Sequence, residues 1–209
     1  MTTSTIPTAA GGLTTRPATP ERFDDLQTAL SGGGDGRSCQ CQWFTMSASG
    51  WKHSDTAERR DLLRAETAGP CAPGLIGYRG EVPAGWVRVG PRTAQPRLAR
   101  SRSLRPHATQ PWDDPDIWAV TCFVIRREFR GEGLMAELLA AAVEHACHGG
   151  ARVVEGYPTD TAGLRRSAND LFRGVTQAFL DVGFAEIAHP TPTRAIMART
   201  LSGPDQTRA

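Results

Sequence analysis

The chain has 209 residues, 39% hydrophobic and 22% charged, with a formal net charge of +2. This is the profile of one globular domain with apolar side chains enough for a core, and it excludes general disorder. Lys52 is the single lysine, so arginine supplies the other 23 of the 24 basic residues. A GxxxxGK[ST] phosphate loop, and the KTG element that accompanies an SxxK serine nucleophile, each need a lysine that the chain does not have.

The charge is too small to argue for a nucleic-acid or membrane partner. The longest wholly apolar run, Leu138 to Val143, is far short of the roughly 20 residues that span a bilayer. Residues 1–11 show neither the basic nor the apolar region of a secretion signal, which makes the cytoplasm the expected compartment. The five cysteines (Cys39, Cys41, Cys71, Cys122, Cys147) are an odd set that disfavours a disulfide framework. Cys39 and Cys41 with nearby His53 make at most half a zinc site, and no second cysteine pair completes it, so no metal is expected.

Residues 1–11 and 203–209 read as mobile tails around a single domain over 12–202. Leu13–Pro17 is a short strand, and Pro20 opens a helix to about Leu30 with Phe23, Leu26 and Leu30 inward. A second helix runs from the polar start at Ser54 to about Thr67, with Leu62 and Leu63 inward. Residues 74–79 and 83–89 alternate on either side of Gly80-Glu81, a hairpin. The proline-rich stretch from Pro91 to Asp116 is a long loop of the kind that is often functional.

Ile117–Ile125 is nearly all apolar and so reads as a central strand buried on both faces. Gly131–His148 is a helix whose stripe is Leu134, Leu138, Leu139, Ala142 and Ala146. A strand over 151–157, a helix over 168–182, and strands over 184–188 and 194–198 complete the chain. The order predicts a mixed α/β sheet, since it does not alternate as a Rossmann repeat does.

The chemistry-bearing segment is Arg126-Arg-Glu-Phe-Arg130-Gly-Glu-Gly133-Leu-Met135, between the central strand and the long helix. A strand, a basic glycine-containing turn and a helix N-terminus make an anion site, suited to a phosphorylated cofactor. The spacing fails the GxGxxG dinucleotide fingerprint. Here the sequence resembles the GNAT superfamily of acetyl-CoA-dependent N-acetyltransferases, whose signature is [QR]xxGx[GA]: Arg130 and Gly133 match, and Met135 departs at the third fixed position. LTTRPATPERFDDL, PAGWVRVGPR and FLDVGF resemble other elements of that family, so the similarity covers most of the chain. CQCQW, VTCFVIRREFRG and ARVVEGYP resemble an actinobacterial-type subgroup.

The resemblance implies a mostly antiparallel mixed sheet with splayed central strands flanked by helices. It implies that the backbone of Phe123, Val124 and Ile125 pairs with the pantetheine arm of acetyl-CoA. Arg130, Gly131, Glu132, Gly133, Leu134 and Met135 would surround the pyrophosphate. An amide near Phe123 or Val124 would polarise the thioester carbonyl. Two familiar residues are replaced: Phe179 stands where many members carry a tyrosine acid, and Phe172 where an asparagine is common. Glu155 and Tyr157, which share a strand face, are the expected substitutes for acid and base work. Cys122 reads as core, with no histidine placed to activate it.

Arginines at 88, 92, 97, 100, 102 and 105 form a basic stretch with no acidic residue among them, either a solvated face or a segment that lines the acceptor entrance or reaches the adenosine 3′-phosphate. Trp43, Phe44, Trp51 and Trp86 are candidate walls of an acceptor pocket. The expected function is acetyl transfer from acetyl-CoA to a primary amine of a small molecule, in a monomer or homodimer. The competing readings are a non-catalytic acyl-CoA-binding or regulatory module, and an acetylase of protein or peptide N-termini.

Overall fold

Successive side chains of a strand point to opposite faces, so the apolar run at 117–125 has to be covered from both sides. The computed structural model describes residues 12–32, 34–161 and 171–201. Its strands are β1 (Leu13–Pro17), β2 (Gly74–Arg79), β3 (Val82–Pro91), β4 (Ile117–Ile125), β5 (Val153–Gly156), β6 (Ala185–Thr191) and β7 (Arg194–Thr200). They form one sheet in the order β1-β2-β3-β4-β5-β7-β6, with β4 at the centre. Every neighbouring pair is antiparallel except β4 and β5.

The helices are α1 (Phe23–Leu30), α2 (Gly36–Cys39), α3 (Ala48–His53), α4 (Thr56–Thr67), α5 (Leu134–His148) and α6 (Thr176–Asp181). Alternate residues of the sheet feed two cores. Val87, Val120 and Phe123 pack with the α5 stripe, whereas Ile76, Trp86, Cys122 and Val124 pack with Phe23, Leu26 and Leu30 of α1 and with Leu63 of α4. Each fully buried leucine of these cores is worth about 1.5–3 kcal/mol. The start of α4 is fixed by a capping box, with Asp55 accepting from the Glu58 amide and Glu58 accepting from the Asp55 amide.

The functional geometry originates where β4 and β5 part. They pair from Ile117 opposite Val153 to Val120 opposite Gly156, where β5 ends and β4 runs on to Ile125. The 91–116 stretch is a loop, but not a loose one. Leu98 and Leu104 are buried with Phe44, Tyr157 and Ile196 in a third apolar cluster. Gln95 donates to the Ala119 carbonyl at 3.1 Å and accepts from the Thr121 hydroxyl at 2.5 Å.

Three sequence expectations are corrected. Leu62 is 43% exposed while Leu63 is fully buried, because only one of two adjacent helix positions can face the sheet. The helix expected over 168–182 is helical only from Thr176 among the described residues: Gly174 is left-handed and Val175 bridges Thr159. The strand expected over 151–157 is confined to Val153–Gly156. Residues 1–11 and 203–209, expected as tails, lie outside the described residues, as do 162–170. No helix among the described residues is long and apolar enough to cross a membrane.

Candidate active site

The turn between β4 and α5 is shaped by two glycines. Gly131 and Gly133 have φ of +83° and +78°, with nothing within 4 Å of where a Cβ would stand. They supply left-handed backbone, and not merely space. Gly133 precedes α5, whose first two amides, on Leu134 and Met135, have no acceptor inside the helix. Ala136 and Glu137 donate back to the Gly133 carbonyl at 3.0 and 3.3 Å. Two open amides at the positive end of a 15-residue helix are what an anion needs.

Arg130 is already engaged with the backbone. Its Nε donates to the Ile125 carbonyl and its Nη2 to the Gly32 carbonyl, both at 3.0 Å. The side chain therefore staples the segment after α1 to the end of β4 and still borders the cavity described below.

Along β4 the strand's own alternation sorts the amides. Arg126 donates to the Ala84 carbonyl of β3 at 3.0 Å, and Trp86 lies opposite Val124, so the Val124 amide faces β3. Phe123 and Ile125 face the gap left by β5. This corrects the expectation for Val124: its amide pairs within the sheet, although the residue still borders the cavity. The Phe123 amide donates to the Phe172 carbonyl at 2.6 Å, so the segment beginning at Leu171 lies in the gap beside β4.

The opposite wall comes from Cys39-Gln-Cys-Gln-Trp43. Gln40 and Cys41 both adopt left-handed φ, 50° and 51°, which non-glycine residues seldom do. Buried polar contacts hold them there. Gln40 and Gln27 exchange amide hydrogen bonds of 2.8 and 3.1 Å, Gln42 donates to Glu66 at 2.6 Å, and Arg88 pairs with Glu66 and donates to the Cys41 carbonyl at 3.3 Å. The Cys41 thiol lies 3.1 Å from that of Cys122 and accepts from Trp86 Nε1 at 3.1 Å. The Cys122 contact and burial push the Cys41 thiol well above the usual range, and burial pushes Cys39 up to about 11, so both are protonated at neutral pH. His53 turns to the Ser49 carbonyl, 2.9 Å away, and among the described residues no group of three or more His, Cys, Asp or Glu is placed to hold a metal.

Turn, strand and loop enclose a cavity of about 660 Å³. Of the expected cofactor residues, Phe123, Val124, Ile125, Arg130, Gly131, Gly133, Leu134 and Met135 line it. Glu132 does not: it is exposed and is absent from the lining. The loop residues Asp35, Cys39, Cys41 and Trp43 line it as well, with Phe172 and Arg173. Their contribution depends on the left-handed turn at 40–41, which has no glycine to announce it in the sequence. The composition suits an extended ligand with one anionic end, since open amides and an arginine stand at the turn while apolar side chains and strand amides run beyond it.

Glu155 and Tyr157 are elsewhere. Both are at most 2% exposed and neither lines the cavity. Arg92 Nη1 donates to both Glu155 oxygens at 2.8 Å, and the Tyr157 hydroxyl donates to Glu155 Oε2 at 2.7 Å. Arg92 also donates to the Gln110 carbonyl at 3.1 Å and to that of Pro111, and it stacks on Trp112 at 4.4 Å. The network ties β5 to the long loop. Burial, then the Glu155 carboxylate, raises the Tyr157 phenol far above its usual value, the reverse of what a proton donor needs.

Phe179 occupies its own space fully. It is 0% exposed and packs edge-on against Phe184 at 4.9 Å and Phe123 at 6.3 Å. Gly156 exists to admit it, since a Cβ there would stand 2.0 Å from the ring.

The basic stretch divides. Arg88 and Arg92 are buried ion-pair partners of Glu66 and Glu155, while Arg102 and Arg105 are exposed. Arg97 and Arg100 line a second cavity of about 360 Å³, whose walls include Trp43, Phe44, Arg173 and Arg194. It adjoins the first where Trp43 and Arg173 border both. Trp51 borders the first cavity only, and Trp86 is fully buried in the core.

Comparison with known proteins bears on the family and the fold. The profile of the acetyltransferase (GNAT) family matches residues 39–165. Solved structures with the same fold include a GNAT acetyltransferase from Listeria monocytogenes (10% identity, 94% of this chain and 99% of that one, TM-score 0.53). An agmatine N-acetyltransferase (12%, 90% and 99%, TM-score 0.54) and a ribosomal-protein alanine N-acetyltransferase from Escherichia coli (11%, 95% and 99%, TM-score 0.51) share it too. No curated protein matches the chain.

Proposed function

The chain belongs to the GNAT family of acetyltransferases, and we propose that it moves an acetyl group from acetyl-CoA to a primary amine of a small-molecule acceptor by direct attack while both are bound. The observation that carries this reading is one cavity bordered both by the turn around Arg130 to Met135 and by the edge of β4. Acetyl-CoA supplies the activated thioester. The open amides of Leu134 and Met135, with Gly131 and Gly133 shaping the turn, would bind its pyrophosphate. The Ile125 and Phe123 amides, facing the gap, would pair with the pantetheine arm, and Phe123, the farther of the two from the turn, would polarise the thioester carbonyl. In that role it exchanges the Phe172 carbonyl for the substrate's.

The acceptor would enter from the second cavity, whose volume of about 360 Å³ and aromatic walls suit a small molecule better than an extended peptide. The named relatives include both an agmatine and a ribosomal-protein acetyltransferase, so the cavity and not the fold argues for the small amine. We assign Glu155 and Tyr157 to holding β5 against the long loop.

A non-catalytic acyl-CoA-binding module is the second reading, favoured by Phe179 at the usual acid position and by the Phe172 carbonyl on the Phe123 amide. Release of CoA thiol from acetyl-CoA, measured with a panel of small primary amines and peptides, separates the three. A small amine that drives release above the hydrolysis background supports the proposal. Release with peptides only, or with nothing, overturns it.

A further inference from the structure

Among the described residues, Arg79, Arg88, Arg92, Arg126 and Arg152 each make a salt bridge with a carboxylate. The second cavity gathers arginines that do not. Arg97, Arg100, Arg173 and Arg194 all line it, no carboxylate does, and none of the four makes a salt bridge among the described residues.

Two of these side chains, Arg97 and Arg173, are constrained without being neutralised. Arg97 lies over the Trp43 ring at 3.5 Å and donates to the Trp43 carbonyl at 3.4 Å. Arg173 sits 5.0 Å from the Phe44 ring, with its Nε buried and without a hydrogen-bond partner among the described residues. Burial lowers the affinity of Arg97 and Arg194 for their protons, with no carboxylate opposing it. Ser101 and Ser103, their hydroxyls 3.2 Å apart, add neutral donors on the same wall. Three half-buried guanidinium groups, Arg97, Arg173 and Arg194, with the exposed Arg100 on the same recess, are costly to gather unless an anion completes the site, and the planar fork of arginine fits carboxylate and phosphate oxygens in pairs.

We propose that this recess binds the anionic group of the acceptor, so that the substrate is an amine carrying a carboxylate or a phosphonate or phosphate, and not a polyamine. The inference rests on the acetyltransferase reading for the word acceptor, while the anion site itself does not. The turn around Arg130 lines only the first cavity. The two anion sites therefore serve different parts of the ternary complex, with the amine of the acceptor reaching back past Trp43 and Arg173.

The test uses the full chain in two parts. In the first, acetate and inorganic phosphate are titrated without acetyl-CoA and followed by tryptophan fluorescence, in wild type, Arg100→Ala and Arg102→Ala. Arg100 and Arg102 are both exposed, and only Arg100 lines the recess, so the second variant controls for charge. Saturable binding of either anion, lost in Arg100→Ala and kept in Arg102→Ala, supports the site even if no amine is acetylated. Binding of neither anion, or equal loss in both variants, overturns it.

In the second part, CoA release is measured with matched amines, each as the free carboxylate or phosphonate and as its neutral ester. The anionic members should have kcat/KM at least about tenfold higher, and Arg97→Ala or Arg100→Ala should raise their KM about tenfold to a hundredfold. The neutral partners and the affinity for acetyl-CoA should not change. The carboxylate and phosphonate arms identify which anion is preferred. Equal rates on anionic and neutral members, or arginine variants that weaken acetyl-CoA itself, would show that the recess does not read the acceptor.

Discussion

Two polar systems of the molecule differ in one respect. The Arg92–Glu155–Tyr157 network is closed around its carboxylate, which accepts from the guanidinium and from the phenol; all three side chains are buried, and Arg92 Nε is left without a hydrogen-bond partner among the described residues. The turn from Arg130 to Met135 is open, with left-handed glycines and two helix amides that have no partner among the described residues. A closed network is held by the fold and holds it in return. An open one is complete only with a ligand. The sequence presents both as polar residues near a strand end, and only the pairing tells them apart.

Four perturbations can break or sharpen that contrast. The largest effect is expected from Glu155→Ala, which leaves Arg92 charged and buried. Losing one partner of such a pair costs about 3–5 kcal/mol, or a fall in Tm of about 6–20 °C for a chain of this size. The acetyl-CoA affinity of the protein that remains folded should stay as in wild type. A loss of affinity with Tm preserved would move Glu155 from the closed system to the open one.

Gly133→Val should do the opposite. A β-branched side chain at φ +78° strains the turn by about 1–3 kcal/mol. The turn can relieve that only by moving the Leu134 and Met135 amides, so calorimetry should find the Kd for acetyl-CoA raised about tenfold or more with the fold intact.

Tyr157→Phe removes one donor from Glu155 and should cost about 1 kcal/mol, a Tm change of about 2–4 °C. Turnover should not change, and a tenfold fall in kcat at unchanged Tm would restore Tyr157 as a proton donor. The smallest effect is in alkali. Burial and Glu155 raise the Tyr157 phenol above its unfolded value. Its contribution is therefore present below the ordinary phenol pKa of about 10 and lost as pH rises past it. Wild type should lose more stability than Tyr157→Phe between pH 9 and 11, by urea unfolding.

Much of this was legible in the residues. The apolar run at 117–125, the hairpin around Gly80 and the stripe of α5 each carry their period openly, and the turn at 130–135 carries its glycines. Eight of the expected cofactor residues border the cavity, since a strand, a turn and a helix N-terminus are local in sequence. The cavity's other wall was not legible. Its shape depends on Gln40 and Cys41 in left-handed backbone, pinned by Gln27, Glu66 and Arg88 from three distant elements. The fate of Glu155 was hidden for the same reason, because its partner Arg92 lies 63 positions away. The basic stretch from 88 to 105 shows the limit most plainly: its side chains divide among ion pairs, the recess and solvent according to contacts made far along the chain.

The most direct measurement is amide hydrogen exchange with and without acetyl-CoA, read residue by residue. The account predicts protection at Phe123 and Ile125 and across 131–136, with no change at 153–157. Protection confined to β5 and Tyr157, or no protection anywhere at millimolar acetyl-CoA, would contradict it.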